Sequence, residues 1–556
     1  MNKRDLGAIA GISIAIFVIA RMWTGLDTPD SSFYTSLALF GDQVTDRAPF
    51  DSYYWTRLGY IAPVMLLTTL TTPEIGYAIY RFILIAVIVA SLYSLLKRLT
   101  PTTAQAPNTS NLTSSYLTRM YLTSVAATST VILSYLGNPY LTGFILAATC
   151  AVIALVATNR TAYVVVAGAI VGWSAQVNPA GSLLVATLFI ATAVFFHQRV
   201  RTYFFSAIAA GITFVFFIGV GTLIFPGLSW WETFNATRDM NLSDFASRSP
   251  VWLTDISLLV PLAVLILAIT TWWFNRENNA HGFALVISSV SVSFLVVFSP
   301  LMGGIAMEAP MYQSMLWPPA MIAAALIFSN FLNLRTQRWW LYALSLLVII
   351  GAGMLQPTLT FAVGVIIAIG MVLAALLASK RAATQTATLG LVAVTIFMAS
   401  AQLLQNSRTD LGLYFLSPYS WAFAPNPIAG KVDSAIAVQE WLLANTSNSD
   451  QILTWVDGSW IEGDRELYAV AAMQLWGENR LTLEAVVDDY ARAVLEQADP
   501  SVIALYGRSQ GAINTMWESI PGAGPLTCTD FTWPLASNTD FPADSGIACL
   551  TRLHLP

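Results

Sequence analysis

The chain has 556 residues, of which 56% are hydrophobic and only 10% charged, with a mean hydropathy of +0.64; soluble domains carry about 25% charged residues. Its net charge of -5 is thinly spread, so the sequence offers no basic face for nucleic acid or for an anionic membrane surface. These values describe an integral membrane protein, and its cysteines, at 150, 528 and 549, match no zinc-binding spacing.

Apolar runs of about 17 to 23 residues can each cross a bilayer as a helix that satisfies its own backbone hydrogen bonds. In chain order they fall near residues 6–23, 79–96, 117–135, 140–157, 162–176, 181–196, 203–225, 252–274, 282–300, 315–332, 340–356, 361–379 and 387–404. The expectation is a polytopic α-helical membrane protein with about 13 transmembrane helices. Val18-Ile19-Ala20 also looks like a signal-peptide cleavage site, but the apolar stretch is longer than a usual signal core. Short basic loops stay in the cytoplasm. With Lys3 and Arg4 inside, Lys97, Arg98, Arg160, Arg199, Arg201, Arg276, Arg335, Arg338, Lys380 and Arg381 all return to that side, which leaves everything after about residue 405 outside.

The longest outer loop of the N-terminal half, residues 24–78, carries Asp27, Asp30, Asp42, Asp46, Arg47, Asp51, Arg57 and Glu74, and Arg81 follows it. Phe33, Tyr34, Phe40, Phe50, Tyr53, Tyr54, Trp55 and Tyr60 interleave these charges. At helical spacing SSFYTSLALFG sets Phe33, Leu37 and Phe40 on one side, which predicts a short interfacial helix; PVMLLTTL at 63–70 predicts a second. Residues 101–115 read as a polar loop. Trp230, Trp231 and Glu232 open the next sizeable outer loop, as interfacial belt residues or as a glycan platform.

Beyond residue 425 strand-like runs (QILTWVDG, SVIALYG) alternate with helical ones (VDSAIAVQEWLLAN, LEAVVDDYARAVLEQA). This predicts a C-terminal extracytoplasmic α/β domain over 425–556 with a mostly parallel sheet. An oxidising outer compartment would let Cys528 pair with Cys549, the alternative being two free thiols.

A first span ending in an acidic patch, Asp30-x-x-x-Tyr34, a Pro-led apolar segment at Pro63 and then Arg81 at the second span together resemble the GT-C superfamily of membrane glycosyltransferases. Within it the branch of the protein O-mannosyltransferases and lipid A aminoarabinose transferases is the most similar. GNPYLTGFILAATCAVIALVA and APMYQSMLWPPAMIAAAL, the latter carrying Glu308 and Tyr312, are similar to that branch as well. The sequence departs from it at Ser31, where a second acid is common, and near Tyr312, where a basic residue is replaced by Glu308 as the ionisable group. The resemblance covers most of the chain. It implies a GT-C-like membrane domain over 1–404 in a bacterial plasma membrane. It also implies a polyprenyl-phosphate-linked sugar donor, mannosyl or arabinosyl in type, and a glycan, lipid or protein acceptor.

The residues support that chemistry in their own right. The leaving group of such a donor is already an anionic phosphate, so the reaction needs mainly a base for the acceptor hydroxyl. Asp30 is the candidate base, with Asp27 beside it. Arg57 and Arg81 are candidates for the phosphate because guanidinium matches its oxygens in bidentate geometry. Tyr34, Tyr54, Trp55, Asp51, Glu308 and Tyr312 complete the candidate binding set. His197, His281 and His554 gather no outer cluster, which argues against His-ligated metal chemistry; a divalent cation stays open as a helper. Asp27 and Asp30 read equally as a solvated helix end with an Asx turn at Thr28-Pro29, and Arg57 and Arg81 as snorkelling side chains. The competing functions are a transporter or flippase of lipid-linked substrates, which usually places charge near the midplane of its spans, and a non-catalytic scaffold.

Overall fold

The computed structural model describes residues 3–19, 34, 37–38, 53–71, 73–99, 109–127, 141–235, 259–274, 276–301, 315–331, 441–442, 444–447, 450, 452–456, 482–485, 500–507, 509–533 and 544–553. Eleven helices are described before residue 332: α1 Lys3–Ile19, α2 Leu58–Leu70, α3 Pro73–Leu99, α4 Thr109–Ala127, α5 Leu141–Ala157, α6 Thr161–Ala175, α7 Pro179–Phe195, α8 Val200–Ile224, α9 Leu259–Phe274, α10 Asn279–Leu301 and α11 Trp317–Phe331. Two of them, over Ile75–Leu99 and Val200–Ile224, are long and apolar enough to cross a membrane unaided; α2, α5, α6, α7 and parts of α9, α10 and α11 are shorter apolar helices. The expected spans at 340–356, 361–379 and 387–404 lie outside the described residues.

Local chemistry accounts for several boundaries. Pro73 and Pro179 open α3 and α7, where a missing amide hydrogen costs nothing. Asn178 caps α7 by accepting from the Gly181 amide at 3.0 Å. The polar loop expected over 101–115 ends earlier, because Thr109 to Ser115 already belong to α4; no Pro or Gly follows Pro107 to hold that stretch out of a helix. The helix expected from residue 63 begins instead at Leu58, and Pro63 is accommodated within its first two turns.

Small residues set the closest packing. A Cβ at Gly168 or Gly172 of α6 would run into the backbone of Ser206 or Ala210 of α8. Ser206 Oγ donates across this seam to the Val164 carbonyl at 3.1 Å. Helices pack this closely in membranes because lipid removes the hydrophobic incentive and leaves van der Waals contact to hold them. The other face of α8 is open, with Val200 84% and Leu223 83% exposed.

Basic residues come together at one end of the bundle. α1 and α3 run antiparallel, with Lys97 Nζ 2.6 Å from Asp5 Oδ2, and the Tyr116 hydroxyl on α4 donates to the Arg4 carbonyl at 3.2 Å. Gln198 Nε2 donates to Asn159 Oδ1 at 2.7 Å, joining the α5–α6 and α7–α8 turns, in which Asn159 and His197 take left-handed φ values of 57° and 51°. Phe195 lies 5.2 Å from Phe283, which brings the start of α10 to the same end.

The C-terminal part forms a five-stranded sheet of β1 Ile452–Val456, β2 Thr482–Ala485, β3 Val502–Gly507, β4 Thr527–Trp533 and β5 Asp544–Arg552, in the order β2-β1-β3-β5-β4. β1 pairs in parallel with β2 and β3, while β5 is antiparallel to β3 and β4. The sheet is therefore mixed rather than mostly parallel. Leu483 to Ala485, expected to begin a helix, lie in β2, where pairing with β1 overrides a weak local preference. A helix, α12 (Gln510–Glu518), capped by Ser509, lays Ile513 and Met516 on Leu453, Trp455, Ile503, Leu505 and Cys549. Cys528 and Cys549 are directly opposed across β4 and β5 and form a disulfide.

Candidate functional site

The end of the bundle opposite the basic one gathers described residues from and around the stretch expected to form the first outer loop. Asp27, Asp30, Asp51, Glu308, Tyr312 and the Tyr54 side chain lie outside the described residues. Tyr34, four residues after Asp30, is 1% exposed, and with Leu37 and Ala38 it supplies a buried i, i+3, i+4 face. The amphipathic reading centred that face on Phe33, Leu37 and Phe40. Tyr34 docks edge-on against Tyr60 of α2 at 5.8 Å, and Tyr60 against Tyr80 of α3 at 5.6 Å. Tyr77 interacts with Tyr60 as well.

Arg81 follows directly, in the third turn of α3. It is 8% exposed. Its Nη2 donates to the Phe17 carbonyl at 3.2 Å, and its guanidinium carbon sits 4.3 Å from the centre of the Phe17 ring. A guanidinium is weakly hydrated and stays charged when buried, which suits this position between aromatic ring and carbonyl better than lysine would. The contact fixes Arg81 to the last turns of α1, the helix that leads into Asp27 and Asp30.

Arg57 precedes α2 and is half-buried, and its carbonyl accepts from the Tyr60 and Ile61 amides. The start of α2 is held by α6: the Gly59 amide donates to the Gln176 carbonyl at 3.0 Å, and Trp173 Nε1 donates to the Gly59 carbonyl at 2.7 Å. Any side chain at Gly59 would strike Trp173, Val177 and Gln176, so glycine is what allows this approach. Trp55 is 3% exposed and packs edge-on against Phe225 at 5.0 Å; it braces the Arg57 turn against the end of α8.

Trp230 Nε1 reaches the Thr56 carbonyl at 3.4 Å, which ties the segment after α8 to the same turn. Trp230 stacks on Phe234 at 5.0 Å and 10°, and beside them Trp231 stays 65% exposed. Four separate stretches thus meet at one end: Phe17, Tyr34, Trp55 to Tyr80 with Arg81, and Trp230 to Phe234. Tyr77 and Tyr80 were not singled out from the sequence. The signal for Tyr77 was the i, i+4 spacing that puts it on the Arg81 face of α3.

No protein-family model and no curated protein matches the sequence. Among solved structures the chain is similar to ArnT from Cupriavidus metallidurans bound to undecaprenyl phosphate, with a TM-score of 0.54 and 10% identity over 98% of this chain and 97% of that one. It is similar also to the apo state of that protein, with a TM-score of 0.50 and 9% identity over the same shares. The likeness is one of fold alone, and it extends over nearly the whole of both chains.

Proposed function

We propose that this chain is a membrane glycosyltransferase that moves a sugar from a polyprenyl-phosphate carrier to an acceptor hydroxyl at the outer face of a bacterial plasma membrane. The observation that carries this reading is the end-to-end fold likeness to ArnT, a protein whose structure holds undecaprenyl phosphate. The placement of the candidate residues supports it. Arg81 and the half-buried Arg57 lie at the bundle end where Tyr34 docks. A four-residue tether keeps the backbone of Asp30 within about 14 Å of that of Tyr34.

In this reading Arg81 and Arg57 receive the donor phosphate, and the buried tyrosines beside them exclude water. The Asp30 carboxylate, with Asp27 adjacent, takes the proton from the acceptor O–H. The freed oxygen attacks the anomeric carbon while its bond to the phosphate oxygen breaks. That electron pair leaves with polyprenyl phosphate, and direct displacement inverts the anomeric centre. Asp51, Tyr54, Trp231, Glu308 and Tyr312 are assigned to the sugar and acceptor, with Trp55 as their support. Purified protein incubated with polyprenyl-phosphate mannose, arabinose and aminoarabinose should yield free polyprenyl phosphate with one of the three. Movement of a lipid-linked sugar across proteoliposomes with no cleavage of any donor would point instead to the transporter.

A further inference from the structure

Folding concentrates at one end of the bundle the positive charge that the sequence spreads out. Arg4, Lys97, Arg98 and Arg160 meet there: Lys97 pairs with Asp5, Tyr116 reaches the Arg4 carbonyl, and Arg98 and Arg160 are close enough for their charges to interact. Within this group lies Arg119 of α4, which is 9% exposed. Among the described residues its Nε has no hydrogen-bond partner and no ion pair to it occurs. The neighbouring acid is already engaged, since Asp5 accepts from the Tyr93 hydroxyl at 2.7 Å and from Lys97 at 2.6 Å. Arg119 acts electrostatically on Tyr93, which places it against that pair.

A guanidinium cannot shed its proton at any ordinary pH, and a buried N–H of one left without an acceptor carries its full desolvation cost. The missing partner is an anion. Depth identifies its class: the Tyr116 hydroxyl reaches the Arg4 carbonyl, and Arg119 follows Tyr116 by three residues, about 4.5 Å of helix axis, within reach of a headgroup. We propose that Arg119 is the floor of a phosphate-binding site between α1, α3 and α4, with Lys97 and Arg98 at its mouth, that takes the phosphate of an anionic lipid from the adjoining leaflet. Basic pockets between transmembrane helices hold lipid headgroups in this way. The site lies at the opposite end of the bundle from Asp30 and does not depend on the glycosyltransferase reading.

The test uses the full chain in neutral detergent, followed by thermal unfolding with added phosphatidylglycerol, phosphatidylcholine or inorganic phosphate. Phosphatidylglycerol should raise the melting temperature and phosphatidylcholine should not. Arg119→Gln should need about tenfold more phosphatidylglycerol for the same rise, the scale of a lost charge-assisted contact, while Arg119→Lys retains part of the response and Arg201→Gln, an exposed change at the same end, retains all of it. A rise given equally by inorganic phosphate would assign the site to free phosphate. An equal response in Arg119→Gln, or an equal loss in Arg201→Gln, overturns the site. Should Arg119→Gln not fold, native mass spectrometry of the wild-type chain decides: preferential retention of phosphatidylglycerol over an equimolar amount of phosphatidylcholine supports the proposal, and equal retention refutes it.

Discussion

The pair between Asp5 and Lys97 makes an asymmetric prediction. Asp5 is almost fully buried, with a side chain 3% exposed, whereas that of Lys97 is 39% exposed. In Asp5→Asn, Lys97 swings into water and the Tyr93 hydroxyl still donates to the Asn carbonyl; the loss resembles that of a screened surface pair, about 1 kcal/mol. In Lys97→Met the carboxylate cannot follow its partner out. It stays buried, still accepting from the Tyr93 hydroxyl at 2.7 Å, and a buried charge that loses its directly paired counter-ion costs about 3 kcal/mol. The two variants remove the same ion pair, yet Lys97→Met should be less stable than Asp5→Asn by about 2 kcal/mol. Reversible unfolding of the full chain in mixed micelles measures this. Equal losses, or a larger loss in Asp5→Asn, would show that Asp5 is hydrated and that this end of the bundle is not closed as described.

Gly172→Val places side-chain atoms against the Ala210 backbone and should cost about 3 kcal/mol by overpacking, whereas Gly211→Ala, with open space around it, should be neutral or gain up to about 1 kcal/mol of helix propensity; unfolding midpoints of the two distinguish contact from composition. Cys528→Ser should destabilise the C-terminal sheet by about 3 kcal/mol through the lost closure of a loop with a sequence separation of 21, and reduction should reproduce the loss while exposing two thiols to labelling. Burial pushes the Asp450 carboxyl up, but hydrogen bonds from Arg552 and from Ser447 outweigh it and hold it below the usual carboxylate range. Its contribution is therefore present above the ordinary carboxylate pKa of about 3.9 and is lost as pH falls through the lower folded-state value. Asp450→Asn should flatten that acid limb of the sheet's stability profile and leave its neutral-pH slope unchanged.

Helices over 140–157, 162–176, 181–196 and 203–225 were legible in the sequence nearly to the residue, because hydrophobicity over a bilayer's thickness is a local property. Strand against helix at Leu483 to Ala485 was not, since the deciding partner, β1, lies some thirty residues earlier. The same distinction divides the candidate site. Arg57, Arg81 and the aromatic loop could be named from composition, but the link from Arg81 to Phe17 and those from the α2 turn to Trp173 and Trp230 exist only once separate helices pack. Asp5 and Arg119 escaped notice for a related reason: a charge near a span end reads as a solvated flank until neighbouring helices cover it.

Turnover by Asp30→Asn, measured beside Asp27→Asn and the wild-type chain with one accepted polyprenyl-phosphate sugar, tests the proposed chemistry most directly. Asn preserves shape and removes the base, so Asp30→Asn should bind donor with unchanged affinity and transfer sugar at least about a hundredfold more slowly. Asp27→Asn should be the milder change. Full activity in Asp30→Asn would contradict the account at its centre.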